Sequence, residues 1–368
     1  MAFSFGFSGE DIDAENDASP QTTIAPPPNP AAAASAFPVA GKPQLPATQH
    51  ALPDLLATLP SKIAYSCLDV HLDDGSTIQL PRRELWDVRV QLMAEDEGGD
   101  AAEGLGTHDV KTGVYEGGFK SWESSVDLVK VLAADSTLSA RRSAPLRVIE
   151  LGCGTALPSL ALFQWTMPME TRARGPTSFI LADYNPTVLQ LVTLPNFVLS
   201  WALHHRNSSD LQEAWMIEGE LELSPEILAA FQEFLADHSI NLCFLSGGWS
   251  PEFVELLYKL PSTAGTPPNT VLLGAETIYS PFALQAFTET IFRILEREQS
   301  VTEAEAAAYV AAKRLYFGVG GSLDDFIEKA QSKGGLIRQL REETEGVRRG
   351  VVLCRLQPNQ EPVVNTAA

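Results

Sequence analysis

The sequence predicts an α/β fold: a mostly parallel sheet with helices on both faces and a β-hairpin extension on its N-terminal side. Three observations carry this reading. From residue 146 onward, apolar runs of strand length alternate with helical stretches. The first of those strands runs directly into a glycine turn and a new helix. Upstream, two β-patterned runs flank Asp73–Ser76 (DDGS), which is a turn signal.

Taken in order, residues 1–60 read as a largely disordered tail. Proline and small residues dominate 20–46, too little apolar area to offset the entropy of ordering. Ahead of them, FSFGF at 3–7 is an apolar pulse suited to a short docking segment. Residues 63–72 and 77–80 are strands, 82–93 fit strand or helix, and 95–106 are an acidic, glycine-rich mobile loop. Together these make 61–110 an N-terminal extension. A helix over 122–134 places Val126, Val129 and Leu132 at helical spacing, with Ser124 and Ser125 available as caps. Further strands fall at 146–151, 178–182, 240–245, 270–275 and 350–356. Helices are expected from residue 157, over 186–201 with Pro186 near its start, and over 282–298, 302–313 and 323–333, with 314–319 extended. A main domain of 111–357 follows, leaving 358–368 as a flexible tail.

The chain has 368 residues, and 26 lysines and arginines stand against 47 acidic residues, a net charge of −21. That balance argues against gripping a phosphate backbone and suits a basic partner. The cysteines Cys67, Cys153, Cys243 and Cys354 form no CxxC pair, and the six histidines form no ligand cluster, so no metal is assigned. No apolar run reaches membrane-span length and no secretory signal stands at the N-terminus, so a reducing intracellular compartment is expected.

The strongest local signal is VIELGCGTALPSL, residues 148–160. Gly152, Cys153 and Gly154 let the backbone turn tightly and approach a ligand at a helix start. Leu157 stands where a dinucleotide site wants its third glycine, and the phosphate-cradling P-loop pattern is absent. The ligand therefore lacks a pyrophosphate. Asp183, ending the next strand in LADYNP, can accept ribose hydroxyls or merely cap a helix. Glu150 is an acid inside an apolar strand and needs partners.

ELGCGTAL (150–157), DYN (183–185), LVTLPN (191–196) and ETIY (276–279) resemble the eukaryotic histidine protein methyltransferase family. So do residues 106–132 with their WES segment, FSFGF, and YFGVGGS at 316–322. The resemblance implies a seven-stranded, Rossmann-like methyltransferase sheet with an antiparallel last strand and S-adenosyl-L-methionine as cofactor. It also implies tele-nitrogen methylation of a histidine on large-subunit ribosomal protein three. In that reading Gly152–Gly154 lie by the methionine and ribose, Asp183 holds the ribose, and Tyr184 and Asn185 flank the adenosine. Trp122 and Glu123 border the methionine end. Gly248 and Trp249 belong to the adenine-edge loop, where related enzymes often carry an acid in place of Gly248.

Methyl transfer to a neutral imidazole needs alignment and choice of tautomer rather than a strong base. Glu276, ending an apolar strand, is the candidate that holds the near-nitrogen proton; Tyr279 lines the same pocket and Asn196 offers an amide to the substrate. Residues 205–300 carry 14 acidic against 4 basic side chains, which suits a basic ribosomal protein, free or nascent rather than assembled on RNA. A monomer in the cytoplasm and nucleus, with no direct nucleic-acid or membrane contact, is expected. The alternatives are a protein-lysine or small-molecule methyltransferase, a non-catalytic ribosomal-protein binding module, and, at fold level, an NAD-linked dehydrogenase.

Overall fold

The computed structural model describes residues 43–95, 110–111, 115–116, 118–136, 144–169, 175–261, 266–301, 305–316 and 320–357. FSFGF, nearly all of the acidic loop and the 358–368 tail lie outside the described residues.

The main sheet runs in the order β1 (Thr48–His50), β9 (Ile240–Ser246), β7 (Thr177–Asp183), β6 (Leu146–Leu151), β10 (Asn269–Ala275), β11 (Ala306–Lys313), β13 (Arg349–Leu356), β12 (Gly335–Glu343). Strands β9, β7, β6, β10 and β11 pair in parallel, and β13 is antiparallel to both its neighbours. The family's seven strands are thus present, with the expected antiparallel last strand. An eighth, β1, is added antiparallel at the β9 edge. Its residues fell within the segment read as tail. That reading fails over 43–60, where β1 and helix α1 (Leu52–Ala57) pack on the sheet. The polar triplet TQH has no strand pattern of its own; an exposed edge templates it.

The hairpin forms as expected from β2 (Lys62–His71) and β3 (Thr77–Arg83), the ambiguous segment resolves as the end of β3 followed by α2 (Leu85–Glu95), and the short strands β4 (Val110–Lys111) and β5 (Tyr115–Glu116) pair with each other. The β2 strand also pairs with β8 (Glu220–Glu222), so the hairpin is stitched to the main domain.

Helices α3 (Glu123–Ala134), α4 (Leu157–Thr166) and α5 (Pro186–His204) cover one face of the sheet. Helices α7 (Pro251–Leu257), α8 (Pro281–Gln299) and α9 (Leu323–Ser332) cover the other, while α6 (Pro225–Asp237) packs beside α5. The α5 helix matches a membrane span in length and apolarity, but 78% of its most apolar window is buried in the fold. Its Phe197 ring packs 5.1 Å from Phe163 and 6.0 Å from Phe179, centroid to centroid.

Residues 302–313 were expected to be helical, yet 306–313 are strand β11. Alanine favours helix locally. Here Ala308, Ala311 and Ala312 are fully buried between α3 and α8, and the central ladder to β10 and β13 overrides propensity. Strand β12 carries no strand signal in the sequence because, as the polar edge strand of the sheet, it lacks an apolar alternation. Ser124 and Ser125 do not cap α3: Trp122 holds the N-cap position without a side-chain bond.

Within α5, residues Leu189–Thr193 form a π-helical turn. Pro195 lacks the N–H that would bond the Leu191 carbonyl. That carbonyl instead accepts from Arg83 Nη1 at 3.1 Å, and Arg83 Nε pairs with Asp87 at 2.7 Å. The helix irregularity therefore gives the hairpin a second anchor beside the β2–β8 pairing.

Replacing Phe197 with alanine should cost about 3–5 kcal/mol of stability, because a buried aromatic leaves a cavity where three rings meet. Urea unfolding followed by tryptophan fluorescence measures it, and a loss below about 1 kcal/mol would contradict this packing.

Candidate active site

The strand order brings the carboxyl ends of β6, β7, β9 and β10 to one edge, with Leu151 opposite Ala182 and Asp183 opposite Ser246. A cavity of about 110 Å³ opens there. Eleven of the residues singled out from sequence line it: Trp122, Glu150, Gly152, Cys153, Gly154, Asp183, Tyr184, Asn185, Trp249, Glu276 and Tyr279.

The turn after β6 needs its glycines. Gly152 and Gly154 have φ of +66° and +50°. A Cβ on Gly152 would sit 2.6 Å from Thr277 Cγ2, and one on Gly154 would sit 3.0 Å from the Gly118 carbonyl oxygen. The Gly154 N–H donates to Asp183 Oδ2 at 3.0 Å, and the Asn185 N–H donates to Oδ1 at 3.1 Å. From beneath, Thr193 Oγ1 donates to the Gly154 carbonyl at 2.7 Å and Asn196 Nδ2 to the Thr155 carbonyl at 3.0 Å.

Two acids stand close behind this turn. Burial pushes Glu150 up to about 8, against the Ser159 N–H donated to its Oε2 at 3.0 Å; the Asp183 charge adds to the rise. Loss of water also raises Asp183 to about 6, with the backbone N–H groups opposing. Burial likewise lifts the Cys153 thiol well above its usual range, so it is an inert filler of the turn.

At the other end, Glu276 closes β10 with φ +58°, a left-handed conformation uncommon outside glycine. Its N–H stays in the ladder, donating to the Ala311 carbonyl at 2.9 Å. Ser124 Oγ donates to Oε1 at 2.5 Å and Tyr316 Oη to Oε2 at 2.5 Å. Burial raises the carboxyl's pKa, and these two hydroxyls and the Lys313 charge oppose the rise. Lys313 Nζ lies 5.1 Å from the centre of the Trp122 ring.

Three expected residues stand elsewhere. Asn196 is fully buried; besides holding Thr155 it accepts the Arg83 N–H at 2.8 Å, so it supports the turn and does not face a substrate. Glu123 is exposed at the start of α3 and does not line the cavity. Gly248 is covered by Gln44. Sequence reasoning also missed Gln44, Lys120, Thr155 and Thr277 in the cavity wall, and Ser124 and Tyr316 behind Glu276. Tyr316 and Ser124 fell in stretches already marked by resemblance, but only the fold shows what they hold.

No family model matches the chain. Histidine protein methyltransferase 1 of Saccharomyces cerevisiae is 36% identical over 264 residues, covering 67% of this chain and 67% of the relative. The protein of that name in Schizosaccharomyces pombe is 32% identical over 305 residues, covering 81% of this chain and 82% of its own. A Bos taurus homolog is 29% identical over 245 residues, 66% of this chain and 56% of its own length.

Glu150 gives a stability prediction. Its carboxyl is raised on folding from near 4.5 to about 8. Between those values the native state keeps a proton that the unfolded chain has released, so stability falls as pH rises through the window. Glu150→Gln should remove this slope: in the ligand-free protein its Tm should gain on the wild type between pH 5 and pH 8. Parallel Tm–pH curves would refute the assignment.

Proposed function

The chain belongs to the histidine protein methyltransferase 1 family, and from that premise we propose that it transfers a methyl group from S-adenosylmethionine to a histidine ring nitrogen of a protein. The observation that carries this reading is the single cavity in which the glycine turn, the Asp183 carboxylate and Glu276 converge. The residues present fit such a donor. A side chain on Gly152 or Gly154 would collide with the cavity wall, so backbone approach is built in. The buried Trp249 Nε1 and Thr277 Oγ1 have no hydrogen-bond partner among the described residues, which leaves donors for a ligand. No partner for a pyrophosphate is required.

When bound, S-adenosylmethionine supplies an electrophilic methyl on a sulfonium with a good leaving group. The chain's own residues do the rest. Asp183 holds two backbone donors and keeps lone pairs for ribose hydroxyls. Trp122 lines the cavity near the Asp183 and Glu276 carboxylates, whose negative charge suits a cation. Glu276 is locked by Ser124 and Tyr316, and each oxygen retains a further acceptor site. It accepts the near-nitrogen proton of the incoming imidazole, which leaves the tele nitrogen's lone pair free. Tyr279 lines the same cavity.

The substrate we propose is a free or nascent basic protein of the large ribosomal subunit, met by a monomer in the cytoplasm and nucleus. Its support is the motif resemblance together with the surplus of 14 acidic over 4 basic residues in 205–300.

The decisive experiment is in vitro methylation of large-subunit ribosomal protein three with labelled donor, followed by peptide mass spectrometry. Label should sit on one histidine and vanish when that histidine is replaced; label on lysine, or donor binding without product, would overturn the reading. Glu276→Gln should lower kcat by about 10- to 100-fold with little change in donor affinity, as misorientation of a reacting group does. Donor affinity should weaken as pH falls below about 6, where Asp183 takes a proton; calorimetric titration with S-adenosylhomocysteine from pH 8 to pH 5 measures this.

A further inference from the structure

Residues 43–50 cross the edge of the cavity far from Glu276, where β7 and β9 end. Four contacts fix the path of this segment. The Gly248 N–H donates to the Leu45 carbonyl at 2.9 Å, and the Leu45 N–H donates to Tyr184 Oη at 3.0 Å. Strand β1 pairs Thr48 with Ser246, and His50 Nε2 lies 2.7 Å from Ser246 Oγ. The approach is tight: a Cβ on Gly247, at φ +101°, would stand 2.2 Å from the Pro46 carbonyl oxygen. The segment is thereby held as a wall of the cavity, and its residue 44 lines it beside Tyr184 and Trp249.

Gln44 occupies an unusual place. A Cβ on Gly248 would lie 2.2 Å from Gln44 Oε1 and 3.2 Å from Gln44 Cβ. The glutamine amide therefore fills the space that a side chain at 248 would take. Gln44 is exposed, and among the described residues its amide has no hydrogen-bond partner, so its donor and acceptor are open both to water and to a ligand entering the cavity. The loop Gly247–Trp249 lies next to Asp183, since the Gly247 N–H reaches the Asp183 carbonyl at 3.2 Å. A nucleoside whose ribose sits on Asp183 places its base toward this loop.

We infer that Gln44 is a specificity-determining residue for the methyl donor. Its side-chain amide reads the edge of the purine, its carbonyl accepting from the 6-amino group, in the space left by glycine at 248. This rests on the S-adenosylmethionine reading above. It assigns a base-contact role to a residue more than 100 positions upstream of the glycine turn. The glycine at 248 and the glutamine at 44 form one unit: neither arrangement works with a side chain at both positions.

The test uses equilibrium binding, not turnover. S-adenosylhomocysteine and its analogue lacking the 6-amino group are titrated by calorimetry into the wild type, Gln44→Leu, Gly248→Ala and the double variant. The wild type should bind the parent about 5-fold more tightly than the analogue, the net worth of one hydrogen bond. Gln44→Leu keeps the size of the side chain and should bind both ligands alike, with the analogue's affinity unchanged. Gly248→Ala should push the amide aside and show the same loss, and the double variant should lose no more than either single one. Retained preference in Gln44→Leu, or equal weakening of both ligands, overturns the role of Gln44 while leaving the donor reading intact. Failure of the wild type to bind S-adenosylhomocysteine overturns both.

Discussion

One hydrogen bond organises the molecule: the Gly154 N–H donated to Asp183 Oδ2 at 3.0 Å. It joins the ends of two parallel strands whose register places Leu151 beside Ala182. A turn that tight exposes both backbone donors and carbonyls, and buried ones need partners. The donor goes to the carboxylate. The carbonyls of Gly154 and Thr155 go to Thr193 and Asn196 of α5. The turn is thus pinned from above and below by the chain's own groups. Both acids lie behind the turn, and burial is what raises Glu150 and Asp183, with the Asp183 charge a smaller addition at Glu150.

The second consequence runs through α5. Its LPN segment marks where a helix gives up regular bonding. Pro195 frees the Leu191 carbonyl, Arg83 takes it, and Asn196 accepts the Arg83 N–H while holding the glycine turn. One irregular helix turn thereby couples the N-terminal hairpin to the site. A motif that looks like a substrate contact in sequence acts in the structure as a support.

The opposite end of the cavity is built on strain and charge. Glu276 sits at φ +58° and keeps a raised pKa in a buried place. Two hydroxyl groups from distant elements satisfy it, and Lys313 supplies a compensating charge. A carboxylate with both oxygens already held cannot swing, and orientation of an imidazole demands that rigidity.

The amino-acid order alone determined the strand and helix alternation, the hairpin around Asp73–Ser76, the glycine turn and the acid that follows it. Each of these is a local pattern: a period, a turn residue or a residue at a strand end records which face is buried and where the chain bends. Tertiary structure decided everything that depends on a partner far along the chain. Alanine-rich 306–313 became strand because two ladders and two helices enclosed it. Residues 43–50 joined the sheet because β9 offered an edge, and Ser124 and Tyr316 found Glu276 across 152 and 40 positions. Such pairings depend on the strand order, and no local pattern carries the strand order; only closure of the whole sheet sets which residues meet.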